Sequence, residues 1–174
     1  GLQWTAVKAK DFNPRWISAQ RGIGLTSRYG VSAIAQPAYA YVLGAVGYEL
    51  PAVLAELLRA GIRVKLAMQA FEADGQKFAA GSLVIPSEKQ PFDEAALLTQ
   101  VERMAGELPL YSVSNGLTAI GPDLGSSNFA VVRPPKVLIT TGSGINVAEM
   151  GEAWHLLDTR YRLAATLVDA ARFG

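Results

Sequence analysis

The chain has 174 residues, of which 50% are apolar and 18% charged, and its mean hydropathy is +0.20, which is enough apolar material for a packed core and excludes intrinsic disorder. Its 16 Lys and Arg against 15 Asp and Glu leave a net charge of +1, and no stretch gathers the cations into a strip matching a phosphate backbone, so nucleic acid is not an expected partner. With no Cys and one His, His155, the composition excludes disulfides, thiolate metal sites, cysteine nucleophiles and any site that needs two imidazoles from one chain.

Residues 1–36 mix Trp4, Trp16, basic residues and glycines without a clear period, and read as irregular structure with one strand around Gln3 to Val7. Tyr39 to Val46 is an apolar and aromatic run between Pro37 and Gly47, short enough to suit a buried strand. Leu50, Val53, Leu54, Leu57 and Leu58 then recur at helical spacing, with Pro51 near the start and Gly61 at the end, predicting a helix with one apolar stripe. Ile62 to Phe71 and Phe78 to Ile85 read as two strands of a hairpin joined through Asp74-Gly75, the second stopped by Pro86.

Asp93 and Glu94 supply negative charge at the start of a second helix, whose buried face is Leu97, Leu98, Val101, Met104 and Ala105 and which Gly106 ends. Leu108 to Val113 is a further strand. Residues 37–114 therefore read as a small α/β unit of order β-α-β-β-α-β, its helices covering one or both faces of a mixed sheet.

Residues 115–135 are dense in turn formers and end on Pro134-Pro135, which predicts a linker. Beyond it, Lys136 to Thr141 reads as a strand, Asn146 with Glu149 as a helix cap with its reciprocal partner, Val147, Met150, Trp154 and Leu157 as the helix face, and Leu163 to Val168 as the next strand. Residues 136–174 thus form a single parallel β-α-β crossover, too little to enclose a core of its own, and read as a truncated α/β domain. No apolar run approaches the roughly 20 residues of a membrane helix, so membrane insertion is not expected.

The strongest local candidate for a site is Gly142, Ser143 and Gly144 at the mouth of the last helix, with Asp169 closing the following strand. Dinucleotide folds hold a pyrophosphate on such a turn and a ribose hydroxyl on such an acid, so these four residues are the candidates for binding a nucleotide or small anion. Val147 occupies the third glycine position of G-x-G-x-x-G, where a β-branched side chain is expected to obstruct close packing of helix on strand. A glycine turn joining strand to helix is the favoured reading.

Glu152 and His155 have the E-x-x-H spacing of a metal-binding helix, but no second copy exists, and with Asp158 they fall opposite the apolar stripe, as on a solvated face. No Ser has the surroundings of a nucleophile elbow. Glu72 with Asp74 and Asp93 with Glu94 are explained by a turn and a helix start. Gly121 to Phe129 reads as a rigid connection rather than an anion-binding loop. Trp4, Trp16, Tyr29, Tyr39 and Tyr41 concentrate aromatics near the start, as a docking surface or a core would.

Four strings occur in order: Phe78-Ala79-Ala80-Gly81-Ser82-Leu83-Val84-Ile85-Pro86, Asp123-Leu124-Gly125-Ser126, Pro135-Lys136-Val137-Leu138, and Gly151-Glu152-Ala153-Trp154-His155-Leu156-Leu157-Asp158-Thr159-Arg160-Tyr161. The pattern resembles the region that follows the catalytic domain in large bacterial zinc carboxypeptidase-like proteins, relatives of the carboxypeptidase A peptidases, running into the start of a class I glutamine amidotransferase-like domain. It spans Tyr39 to Phe173.

The resemblance implies a parent protein that releases C-terminal residues from peptides with zinc in its catalytic domain, a periplasmic or extracellular location, and that catalytic domain as partner. It carries no catalytic or metal residue onto this chain. The peptidase zinc site needs H-x-x-E and a distant His, whereas Asp158 stands three residues after His155; the amidotransferase nucleophile is a Cys. The expected role is a non-catalytic accessory region acting through packing, substrate access or partner contacts. Self-association, covering open strand edges with a second copy, is the other expectation.

Overall fold

The computed structural model describes residues 32–173. Its centre is strand β1, Ala40–Leu43, buried at every position. Burial on both faces explains why the segment reads as an unbroken apolar run rather than an alternation. Tyr41 and Leu43 point into one core cluster and Ala40 and Val42 into another, on opposite sides of the sheet.

Helix α1, Leu50–Arg59, follows. Its end shows why Gly61 is there: with φ +78 it donates to the Leu58 carbonyl while Ile62 N–H donates to Leu57, a Schellman closure that returns Ile62 to the core. Strand β2 is Lys65–Ala67, β3 Phe71–Ala73, β4 Gln76–Phe78 and β5 Leu83–Pro86. Helix α2, Glu94–Ala105, is capped by Asp93, whose carboxylate accepts from Ala96 N–H at 2.8 Å, and stops at Gly106 with φ +59. Strands β6, Leu110–Val113, and β7, Phe129–Val131, complete a five-stranded sheet of order β6-β1-β5-β2-β7, antiparallel at every junction.

Helices α1 and α2 cover one face of this sheet, with Leu57, Leu97 and Val101 packed on Tyr41, Leu83 and Leu110. The β3-β4 hairpin covers the other. Its Asp74-Gly75 turn has φ of +47 and +74, the double left-handed geometry that matches strand twist. Phe71 stacks on Phe78 with centroids 4.9 Å apart, and Phe129 and Tyr111 meet the pair edge-on at 5.1 and 5.5 Å.

The α/β class is as expected, with two refinements. Each of the two predicted hairpin strands is broken into two: the outer pieces, β2 and β5, pair within the main sheet, and the inner pieces fold over it as β3 and β4. The break is held by Ser82, fully buried, whose hydroxyl donates to Ala79 O at 2.7 Å and accepts from Ala45 N–H at 3.1 Å. Antiparallel and parallel pairing also occupy separate sheets. The parallel pair is β8, Val137–Thr141, with β9, Ala165–Asp169, joined by helix α3, Val147–His155, and a π-helical turn, Leu156–Arg160.

The segment 115–135, read as a linker, is part of the folded unit. It contributes β7 and buries Leu124 and Phe129 in the second core cluster, while Ile120 bridges Glu72 on the hairpin edge. Turn formers here mark a compact loop rather than a spacer. At the other end, Ala33 bridges Tyr111 alongside β6, and the strand expected at Gln3 to Val7 lies outside the described residues. No helix among the described residues is long and apolar enough to cross a membrane.

Candidate functional site

Thr141 and Asp169 are register partners at the C-terminal ends of β8 and β9. The parallel pairing therefore brings the four candidate residues Gly142, Ser143, Gly144 and Asp169 to one end of the pair. Gly142 has φ +104, and a Cβ there would lie 2.5 Å from Asp169 Oδ1. Gly144, at φ +83, meets nothing within 4 Å, so backbone conformation alone asks for glycine there. The turn closes with Ile145 N–H donating to Gly142 O at 3.2 Å.

The helix mouth behind this turn is already occupied. Asn146 Oδ1 accepts from Ala148 N–H at 3.0 Å and Glu149 N–H at 3.5 Å, while its amide donates to Glu149 Oε1 at 3.0 Å. This is the reciprocal cap expected from the sequence. Two amides of the first helical turn are thus engaged, and the Glu149 and Asp169 carboxylates flank the turn with negative charge. Asp169 Oδ1 itself accepts from Ala171 N–H at 3.0 Å. Together these contacts favour a structural turn over an anion cradle.

The argument from Val147 needs correction. Its side chain is 71% exposed, so it does not stand between helix and strand. The satisfied amides, not steric obstruction, weigh against the dinucleotide reading. The helix face fares differently from its prediction too: Met150 and Leu157 are half-buried and Trp154 is 42% exposed, because nothing described covers the stripe.

Glu152, His155 and Asp158 are all exposed. The contacts of His155 are with Thr159, whose hydroxyl donates to His155 O at 2.6 Å and stands 3.4 Å from Nδ1. Among the described residues no group of three His, Asp or Glu side chains is arranged to hold a metal ion. Three of the four paired carboxylates have structural partners, Asp93 as the cap of α2. Asp74 accepts from the Ser114 N–H at 2.6 Å and hydroxyl at 3.1 Å, and Glu94 Oε1 accepts from Ala38 N–H at 2.9 Å, tying the start of α2 to the strand beside it.

In the Gly121 to Phe129 loop, Asp123 accepts from Thr118 N–H at 2.9 Å, and Lys65 Nζ donates to Leu124 O at 3.1 Å. Gly121 has φ +91, and a Cβ there would lie 2.6 Å from Ala70 O. These interactions tie the loop to β2 and to the segment entering β3. Of the aromatics near the start, Tyr41 is core and Tyr39 lies partly exposed against Gly116, while Trp4, Trp16 and Tyr29 fall outside the described residues.

A junction that no sequence feature flagged joins the β8-α3-β9 crossover to the main unit. Arg162 ion-pairs with Glu56 of α1, Arg59 donates to the Arg162 carbonyl, and the Arg160 guanidinium sits 5.3 Å from the Tyr48 ring centroid. Between these contacts lies a cleft of about 310 Å³ floored by Ala52, Val53, Met104 and Leu108. Its partners are about a hundred positions apart, and only the tertiary fold brings them together.

Comparison of the chain with protein-family models, with curated proteins and with solved structures finds no match. The α/β architecture and the residues above therefore carry the functional argument.

Proposed function

We propose that this chain is a non-catalytic accessory unit of a protein built around a zinc carboxypeptidase-like catalytic domain, and that it acts as a packing element. One observation carries the reading: none of residues 130–172 is buried, although the crossover presents Leu138, Leu167 and Trp154, each between 42% and 50% exposed. A parallel β-α-β unit with open apolar faces gains stability when another surface covers them. The junction through Arg160 and Arg162 is largely polar and leaves those faces open. The ordered strings from Phe78 to Tyr161 support the catalytic domain as the covering partner, and the residue inventory, one His and no Cys, supports a role without zinc chemistry of its own.

The test is to purify the chain, measure bound zinc by elemental analysis after exposure to zinc, and assay release of the C-terminal residue from an unblocked peptide. Neither stoichiometric zinc nor turnover is expected. Observation of both would overturn the proposal.

A further inference from the structure

Of the asparagines Asn13, Asn115, Asn128 and Asn146, only Asn115 precedes a glycine. The following residue matters because its backbone nitrogen can attack the asparagine side-chain carbonyl, and a glycine leaves that nitrogen unshielded. The other positions are protected. Pro14 has no N–H, the Phe129 N–H is held by Ser126 O at 3.2 Å, and Val147 is β-branched and opens helix α3.

Asn115 lies exposed in the loop after β6, and the Gly116 N–H donates to no group among the described residues, so the nucleophile is not tied up. The Leu117 N–H donates to Asn115 Oδ1 at 2.8 Å, where it polarises the carbonyl and opposes the negative charge that forms on attack. Packing favours the glycine as well: the Tyr39 ring lies so close that a Cβ at position 116 would stand 2.9 Å from its Cζ.

We propose that Asn115 is a deamidation site whose conversion loosens the clamp between the β3-β4 hairpin and the loop after β6. A solvent base takes the Gly116 amide proton as the nitrogen bonds to Asn115 Cγ; the Cγ–Nδ2 bond breaks and ammonia leaves, closing a cyclic imide. Water then opens the imide. Cleavage at Cγ gives aspartate, and cleavage at the main-chain carbonyl gives isoaspartate, whose longer backbone runs through the former side chain. Either product carries a carboxylate where a neutral amide stood.

The clamp is next to this residue. Asp74, in the hairpin turn, accepts from the Ser114 N–H at 2.6 Å and hydroxyl at 3.1 Å, and the Asn115 amide donates to the same hydroxyl at 3.2 Å. Conversion replaces that donor with a second carboxylate, so like charges face one serine. The isoaspartate backbone also displaces Gly116, whose carbonyl accepts from the N–H of buried Leu124 at 3.0 Å. Asp74 precedes a glycine too, but both Ser114 donors hold its carboxylate and the turn fixes its backbone, so it persists.

The experiment incubates the full chain and a synthetic peptide of residues 111–119 in one mildly alkaline buffer. Aspartate and isoaspartate at each asparagine are followed by chromatography and mass spectrometry of digests, with denaturant midpoints measured on the same samples. Asn115 is expected to convert on the timescale of the peptide, mainly to isoaspartate, while Asn128 and Asn146 persist and the midpoint falls in step with conversion. N115S keeps a side-chain acceptor for the Leu117 N–H and has no amide to lose, so its midpoint should hold through the same incubation. Survival of Asn115 while the peptide converts overturns the proposal, because the fold then protects the site. So does a midpoint indifferent to conversion, or one that falls equally in N115S. The outcome is independent of the zinc and peptidase test.

Discussion

Asp169, the last residue of β9, and Gly142, just past the end of β8, are fitted to each other: the Asp169 carboxylate lies where a side chain at position 142 would begin, 2.5 Å from an ideal Cβ. Glycine is therefore required at this position twice over, by space and by a φ of +104.

Gly142→Ala should destabilise the crossover by about 1–3 kcal/mol, read as faster amide exchange in α3. Gly144→Ala, which meets no neighbour within 4 Å, should cost about 1 kcal/mol from conformation alone. Pairing Gly142→Ala with Asp169→Ala removes the clash, so the double variant should be less destabilised than the sum of the singles. Strict additivity would show that the carboxylate does not constrain the turn.

Leu124 tests whether 115–135 is a spacer or part of the core. Its side chain is 2% exposed among Phe71, Phe78 and Phe129. Leu124→Ala should cost about 2–4 kcal/mol in denaturant unfolding, as expected for a cavity in a packed cluster. A loss below about 0.5 kcal/mol, typical of surface positions, would return the segment to the status of a linker.

Tyr41 gives the alkaline prediction. Its hydroxyl is buried with no hydrogen-bond partner of good geometry. Burial pushes its phenol above the ordinary 10.0; the nearby Gln36 side chain opposes the shift, and the Glu94 and Glu102 carboxylates add to it. The raised folded value means that the unfolded chain ionises first. The associated stability is complete below pH of about 10 and is lost as pH rises from there through the folded value. Tyr41→Phe removes this slope and an unpaired polar atom together. It should be neutral to stabilising at neutral pH and show a shallower alkaline decline in denaturation midpoint. Identical alkaline limbs for the two proteins would refute the assignment.

What could be read without coordinates was local. The α1 stripe with Gly61, the Asp93 and Asn146 caps, the Asp74-Gly75 turn and the run at β1 each depend on residues a few positions apart, where spacing and backbone preference suffice. The candidate turn at Gly142 was legible for the same reason, and so was the absence of a thiol or second imidazole.

Tertiary packing decided the rest. Whether Phe71 and Phe78 extend the main sheet or fold over it depends on the aromatic cluster they form with Phe129 and Tyr111, residues far along the chain. Leu124 counts as core only because a hairpin lies above it. Asn146 turns a possible anion cradle into a finished helix cap by aiming one side-chain oxygen at two amides. Periodicity records which face of an element is apolar, but the surface that covers that face is chosen by distant segments, and their meeting leaves no mark in local spacing.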